Sequence, residues 1–296
     1  MTGATVREAL DSAVDALRAA GVEDPRLDAE LLLGEAMGCG RAALTADTGM
    51  EVPAPAARRF GETVRRRLRR EPVAYILGRK GFRRIELEVD PRVLIPRPET
   101  ELLVDLALEL RPASVLDVGT GSGAIALAVA DELPDCAVTA TDTSPAALEV
   151  ARANAGRLGL ADRVGFFEGT LPPAAEIERG YDLILVNLPY VAERDWPTLQ
   201  PEVTQWEPRE ALLAGPDGLD AYRFFLPECG RALTRIAGQS STTLAVEVGE
   251  GEALAVAELF REAGFGAIEA RRDLAGIERV VVGRWQAPSA RVEEAA

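Results

Sequence analysis

The chain contains no histidine. That excludes every mechanism built on an imidazole base, and most zinc sites with it. Cysteine is scarce: Cys39, Cys136 and Cys229 are scattered, odd in number and in no metal-ligand spacing. Such usage points to reduced thiols in a cytoplasmic protein and away from a disulfide framework. No apolar run reaches the length of a membrane span. The amino terminus has no basic segment leading into an apolar one, so no secretory signal is expected. There is no internal repeat. Positive charge is in deficit, with 33 basic against 48 acidic side chains and a net charge of −15, which argues against non-specific nucleic-acid binding. The local exception is Arg58, Arg59, Arg65, Arg66, Arg67, Arg69 and Arg70. These read first as a solvated helix face and second as a docking patch for an acidic macromolecule.

What is present is the mix of a soluble globular protein, 47% apolar and 27% charged. At 296 residues it suffices for one large domain or two ordinary ones. Residues 1–72 read as a helical bundle. Val6, Leu10, Val14 and Leu17 recur at helical spacing, Gly21 is placed to stop that helix, and Asp24-Pro25 opens the next. Residues 73–95 read as a β-hairpin linker: Ile85, Leu87 and Val89 alternate with charges, Asp90-Pro91-Arg92 turns, and Val93-Leu94-Ile95 returns. Pro96-Arg97-Pro98-Glu99-Thr100-Glu101 then forms a rigid corner ahead of a helix. Its acids serve either as helix caps or as one wall of a pocket.

From about Ser114 the pattern alternates strand and helix, which predicts a doubly wound, mostly parallel α/β sheet over 96–286. The last residues, 287–296, read as a disordered tail. Two strand ends carry polar chemistry. Val115–Val118 runs into Gly119-Thr120-Gly121-Ser122-Gly123, a loop that can approach a ligand closely and offer the free N–H groups of the helix behind it. Asp142, about 20 residues on, ends the next strand, where a carboxylate can hold ribose hydroxyls. This pair suits any adenosine-containing cofactor, and the relaxed dinucleotide pattern of Gly119, Gly121 and Ala124 keeps a nicotinamide cofactor open. The second polar end is Asn187-Leu188-Pro189-Tyr190, after the apolar run Leu183–Val186. Asn offers one acceptor and two donors, and Tyr190 a flat face, a combination fit for a planar amide or amine. A separate helical module at the head of the chain, together with Asn-Leu-Pro-Tyr, favours S-adenosylmethionine over a nicotinamide.

These stretches resemble those of the release factor glutamine methyltransferases, class I enzymes dependent on S-adenosylmethionine. The resemblance runs to about Trp285. Its most specific parts are Glu71-Pro72-Val73-Ala74-Tyr75-Ile76-Leu77-Gly78, Leu94-Ile95 with the proline corner that follows, Glu207-Pro208-Arg209 with Gly218-Leu219, and Arg271-Arg272-Asp273-Leu274-Ala275-Gly276. It implies a seven-stranded class I methyltransferase sheet and methylation of the side-chain amide of the glutamine in the Gly-Gly-Gln loop of a peptide chain release factor. It further implies that Asn187, Pro189 and Tyr190 bind that amide, matching the first, third and fourth positions of the family's Asn-Pro-Pro-Tyr. Gly119 to Gly123 and Asp142 would bind the cofactor, with Thr170 and Leu171 at the adenine. A monomer without nucleic acid, membrane or metal is expected.

Two positions depart from the family pattern. Leu188 replaces a proline whose job falls to a backbone carbonyl, which leucine also has. Thr170 replaces an acid after Gly169. Chemically, an amide nitrogen is a poor nucleophile because its lone pair is delocalised. Two acceptors aimed at its N–H bonds, the Asn187 side-chain oxygen and the Leu188 carbonyl, would stabilise the positive charge that develops. Competing expectations are a methyltransferase acting on another protein glutamine or a small planar nitrogen, a non-catalytic cofactor-binding relative, and a dehydrogenase.

Overall fold

A computed structural model describes residues 4–236 and 241–286. It divides into two compact units, Met1–Arg79 with Leu199–Trp206, and Lys80–Thr198 with Glu207–Ala296. The first unit therefore ends past residue 72 and includes a segment remote in sequence. The tail expected over 287–296 lies outside the described residues. Among the described residues no helix is long and apolar enough to cross a membrane.

The first unit is helical: α1 (Val6–Ala19), α2 (Pro25–Met37), α3 (Arg41–Ala46), α4 (Ala54–Leu68) and α5 (Val73–Leu77). Thr5 and Glu8 form a capping box at the start of α1, satisfying donors that a helix leaves open. The apolar stripe Val6, Leu10, Val14 and Leu17 is buried against Leu32, Leu33 and Phe60. Each such leucine contributes about 1.5–3 kcal/mol of burial. The arginines of α4 are not uniformly solvated. Arg67 is 5% exposed and pairs with Asp28 at 2.6 Å and Glu202 at 2.5 Å. Arg66 donates to Glu71, and Arg70 to Glu202 and to the Ala20 and Gly21 carbonyls. Glu202 belongs to the short helix Pro201–Trp206, so these pairs fasten that remote segment to α4. Arg58, Arg59, Arg65 and Arg69 are exposed.

The second unit opens on a two-stranded hairpin, β1 (Arg79–Phe82) and β2 (Ile85–Glu88). The expected hairpin is displaced. Its turn is Arg83-Arg84, and Val93–Ile95 is not a strand. Arg83 sits at φ +51°, a left-handed conformation unusual for a side-chain-bearing residue. Its N–H donates to Glu101 Oε1 and its guanidinium pairs with Asp105 and Glu132, which hold it there. The second turn forms at Asp90, whose carbonyl takes the Val93 N–H. The chain beyond it does not fold back, because the Ile95 N–H goes to the Glu207 carboxylate instead of to a neighbouring strand.

The sheet follows, with helices between its strands: α6 (Glu101–Leu110), β3 (Ser114–Val118), α7 (Ala124–Glu132), β4 (Ala137–Asp142), α8 (Pro145–Leu158), β5 (Val164–Glu168), α9 (Ala174–Ile177) and β6 (Leu183–Val186). After α10, the Pro201–Trp206 helix of the first unit, come α11 (Asp220–Thr234), β7 (Ser241–Glu247), α12 (Ala253–Glu262), β8 (Gly266–Arg272) and β9 (Glu278–Gln286). The strand order is β5-β4-β3-β6-β7-β9-β8. Strands β3 to β7 are parallel, and β9 runs antiparallel to β7 and β8. All four residues of β6 are buried, as a strand covered on both faces requires. One face packs Leu116, Ile184 and Leu244 on Tyr222, Phe225 and Leu226 of α11 and Phe260 of α12. This is the seven-stranded, mostly parallel doubly wound sheet that the alternation predicts. Winding reverses between β3 and β6, the position where such sheets bind ligands.

Candidate active site

Three parallel strand ends meet at that reversal. Val118 of β3 is in register with Thr141 of β4 on one side and Val186 of β6 on the other. The residues that follow are Gly119, Asp142 and Asn187, so the three polar signals of the sequence emerge side by side. A cavity there is lined by Gly119, Thr120, Gly121, Ser122, Asp142, Asn187, Leu188 and Pro189. The proline corner contributes Pro96, Arg97 and Thr100 to the same lining, with Leu94 just ahead of it, so it is a pocket wall.

The glycine loop is held by hydrogen bonds at both ends. The Gly119 and Thr120 N–H groups donate to the Thr141 carbonyl at 2.9 Å. Asp142 accepts from the Gly121 N–H through Oδ2 and from the Ser144 N–H through Oδ1, each at 2.8 Å. Burial raises the Asp142 pKa, and these backbone donors work against the rise. Behind the loop, Asn154 is fully buried and accepts from the Glu88 N–H while donating to the Glu88 and Ser122 carbonyls. Gly119 permits the loop to come close to the other wall. At φ +76°, a Cβ on it would lie 3.2 Å from the Asn187 carbonyl oxygen and 3.4 Å from Leu188 Cδ2. Gly123 works differently. It starts α7 at φ +87°, where a Cβ would strike Leu127 at 2.8 Å, and it is not part of the cavity lining.

Asn187 Nδ2 donates to Thr100 Oγ1 at 3.1 Å. Among the described residues no protein donor takes up Asn187 Oδ1. Tyr190 stands outside the cavity lining, half-buried, with its hydroxyl donating to Glu247 Oε1 at 3.4 Å. Burial pushes its phenol well up, and the nearby Glu247 adds to the shift. Thr170 and Leu171 also lie outside the lining. The Thr170 carbonyl accepts the Thr141 hydroxyl at 3.1 Å, and Leu171 packs against the sheet core.

Three side chains that shape the site are given no role by the sequence reading, which names Glu207 only within a resembling stretch. Asp117 is fully buried, accepts from the Thr120 hydroxyl at 2.6 Å and the Ala126 N–H at 3.1 Å, and has its pKa pushed up to about 7 by burial. It ties the glycine loop to the first turn of α7. Glu207 is 7% exposed and pairs with Arg97 of the pocket wall as well as with the Ile95 N–H. Glu247, at the end of β7, is 1% exposed and is likewise raised to about 7 by burial. Its signal was available, since a lone charge closing an apolar strand is what marks Asp142.

Known proteins resemble the chain along most of its length. Residues 8–78 match the family model described as the PrmC N-terminal domain, and residues 115–206 match a methyltransferase domain. A release factor glutamine methyltransferase of Caulobacter vibrioides is 41% identical over 283 residues, 94% of this chain and 96% of that protein. One from Moorella thermoacetica is 45% identical over 265 residues, 88% and 91% of the two chains. The solved structure of a release-factor-specific protein-(glutamine-N5) methyltransferase from Alicyclobacillus acidocaldarius is 31% identical, covers 67% of this chain and 99% of its own, and has a TM-score of 0.39. With such identity sustained along nearly the whole of both sequences, the chain belongs to the release factor glutamine methyltransferase family.

Proposed function

We propose that the chain is an S-adenosylmethionine-dependent protein-(glutamine) N-methyltransferase. Its substrate is the side-chain amide of the Gly-Gly-Gln loop glutamine in a peptide chain release factor. The observation that carries this reading is the shared cavity: Asn187, Leu188 and Pro189 line the same space as Gly119 to Ser122 and Asp142. An acceptor for a planar amide thus stands beside a cradle suited to an adenosine ligand.

The residues present suit that cofactor. Each Asp142 oxygen accepts one loop N–H and keeps a lone pair for a ribose hydroxyl. Leu94, Ile125 and Ala147 give the cavity apolar surface for a flat base. Bound there, S-adenosylmethionine would supply an electrophilic methyl group, the sulfur–methyl bond breaking to leave a neutral thioether. The chain's part is to hold and polarise the acceptor. Asn187 Oδ1 and the Leu188 carbonyl take the two N–H bonds of the substrate amide. Both are fixed before the substrate arrives, so they stabilise the positive charge growing on nitrogen without reorganising. Once nitrogen has bonded to carbon it is acidic, and its proton passes to solvent. No strong base is needed, in keeping with a chain that has no histidine.

The test is incubation of the protein with S-adenosylmethionine and an unmethylated release factor, followed by mass spectrometry of the tryptic loop peptide. One added methyl on the loop glutamine is expected. Cofactor binding without methylation of any release factor would overturn the assignment.

A further inference from the structure

One stretch that the sequence singles out, Arg271 to Gly276, has no part in the reaction as written. It forms the turn from β8 into β9, and its polar groups are spent on one another. The Asp273 carboxylate accepts the Ala275 and Ile277 N–H groups through Oδ1, each at 2.9 Å, and Arg279 Nε through Oδ2 at 3.3 Å. The Asp273 N–H donates to the Ile277 carbonyl, the Gly276 N–H to the Asp273 carbonyl, and Arg272 to the Gly276 carbonyl. On this closed turn Leu274 stands fully exposed. An apolar side chain fixed in water contributes nothing to the fold by burial.

The sheet places that leucine at the active-site rim. Both β7 and β8 run antiparallel to β9, so β8 ends at the same edge as β6. Val186 is in register with Val246, Val246 with Val281, and Val281 with Ala270. Asn187 is one residue past that level and Asp273 three, so the turn begins about 7 Å beyond Asn187 at the rise of a strand. Sideways it is two to three strand spacings away, about 10–14 Å. Phe224, in the second turn of α11, and Leu254, in the first turn of α12, belong to the same rim. A Cβ on Gly218, just ahead of α11, would lie 2.5 Å from the Tyr190 carbonyl oxygen and 2.7 Å from Glu252 Oε1, so both helices start beside Tyr190. Phe224, Leu254 and Leu274 are the three most exposed large apolar side chains among the described residues. Lone exposed leucines need no explanation, but these three share one edge of one sheet with the site.

We propose that Phe224, Leu254 and Leu274 form an apolar docking surface for the body of the release factor domain whose loop enters the cavity. This rests on the reading that the substrate is a release factor. A folded domain of about 100 residues has a radius of gyration of about 13 Å. With its loop glutamine at Asn187, such a body overhangs the rim as far as the β8–β9 turn and covers the apolar side chains placed there.

The experiment is steady-state methylation of intact release factor by the full chain, with calorimetry for S-adenosylmethionine. Leu274→Ser is expected to raise KM for release factor by about tenfold, with kcat at saturation and cofactor affinity unchanged. Leu274→Met should keep the original KM. Phe224→Ser and Leu254→Ser should each raise KM in the same way, and they carry the test if the turn variant does not fold. Leu110→Ser, at the end of α6 and so at the opposite edge of the sheet, is the control and should leave KM alone. An unchanged KM in all three rim variants would overturn the docking surface, as would an equal rise in Leu110→Ser. Loss of self-association without a change in KM would give the surface to a second copy of the chain and also overturn it. No methyl transfer to release factor by the unaltered protein would instead fell the substrate assignment, and this inference with it.

Discussion

On one side of the cavity, Gly119 to Ser122 present backbone groups held by Asp117 and Asp142, all drawn from the consecutive run β3–α7–β4. On the other, Asn187 presents a side chain that donates to Thr100, a residue 87 positions away in the chain. The first side is a product of local turn geometry. The second exists only when distant strands and the proline corner have assembled. A backbone cradle tolerates changes of side chain but not of glycine, whereas a side-chain clasp depends on single atoms.

That contrast can be broken most sharply at Asn187. Asn187→Ala should cut methyl transfer by ~10²–10³, as losing one oriented polar group does, with cofactor affinity near normal. Rate assays on release factor, with calorimetry, check both halves of that statement. Asp142→Ala should act the opposite way. Removing a charged acceptor is worth about tenfold to a hundredfold in S-adenosylmethionine affinity, and a titration showing unchanged affinity would detach Asp142 from the cradle.

A smaller effect links the two sides. Asp117 and Glu247 each titrate at about 7, raised by burial from ordinary values of 3.8 and 4.5. Between those limits the folded chain keeps protons that the unfolded chain has released. Stability from these groups is therefore fully present below the unfolded values and is lost as pH rises through about 7. The slope is at most about 1.4 kcal/mol per pH unit for each group, and no histidine titrates in the same window. Denaturation midpoints at about pH 5 and about pH 8 should fall in that order, and Asp117→Asn or Glu247→Gln should flatten the trend. The least effect is expected from Leu188→Pro, which keeps the backbone carbonyl. Turnover should change by no more than a few-fold, and a collapse would show that the leucine side chain, packed over the glycine loop, does something the carbonyl does not.

The sequence made the cradle legible because its parts are close together and carry backbone signals: three glycines, then an acid at the next strand end. Asn187 was legible for a similar reason, as a polar residue stopping an apolar strand before a proline. Its supports were not. Thr100 read as part of a helix approach, because nothing in Pro98-Glu99-Thr100 discloses that β6 ends beside it. The hairpin was misplaced because its turn uses Arg83 in a left-handed conformation that glycine or asparagine would have advertised. There the ion pairs to Asp105 and Glu132, made by residues far along the chain, supply what the turn sequence lacks. The arginines of α4 carry no such signal either, since Arg67 is buried against acids at positions 28 and 202 and the Glu71 carbonyl.

That last arrangement makes the helical unit a mosaic of two stretches. Severed after Arg79, it would lose Glu202 and leave Arg67 sharing a buried guanidinium charge with Asp28 alone. Arg70 would lose the same acid, since Arg67 and Arg70 share Glu202. The module at the head of the chain is thus finished only when synthesis has passed position 206, after Asn187 and its strand have already been made.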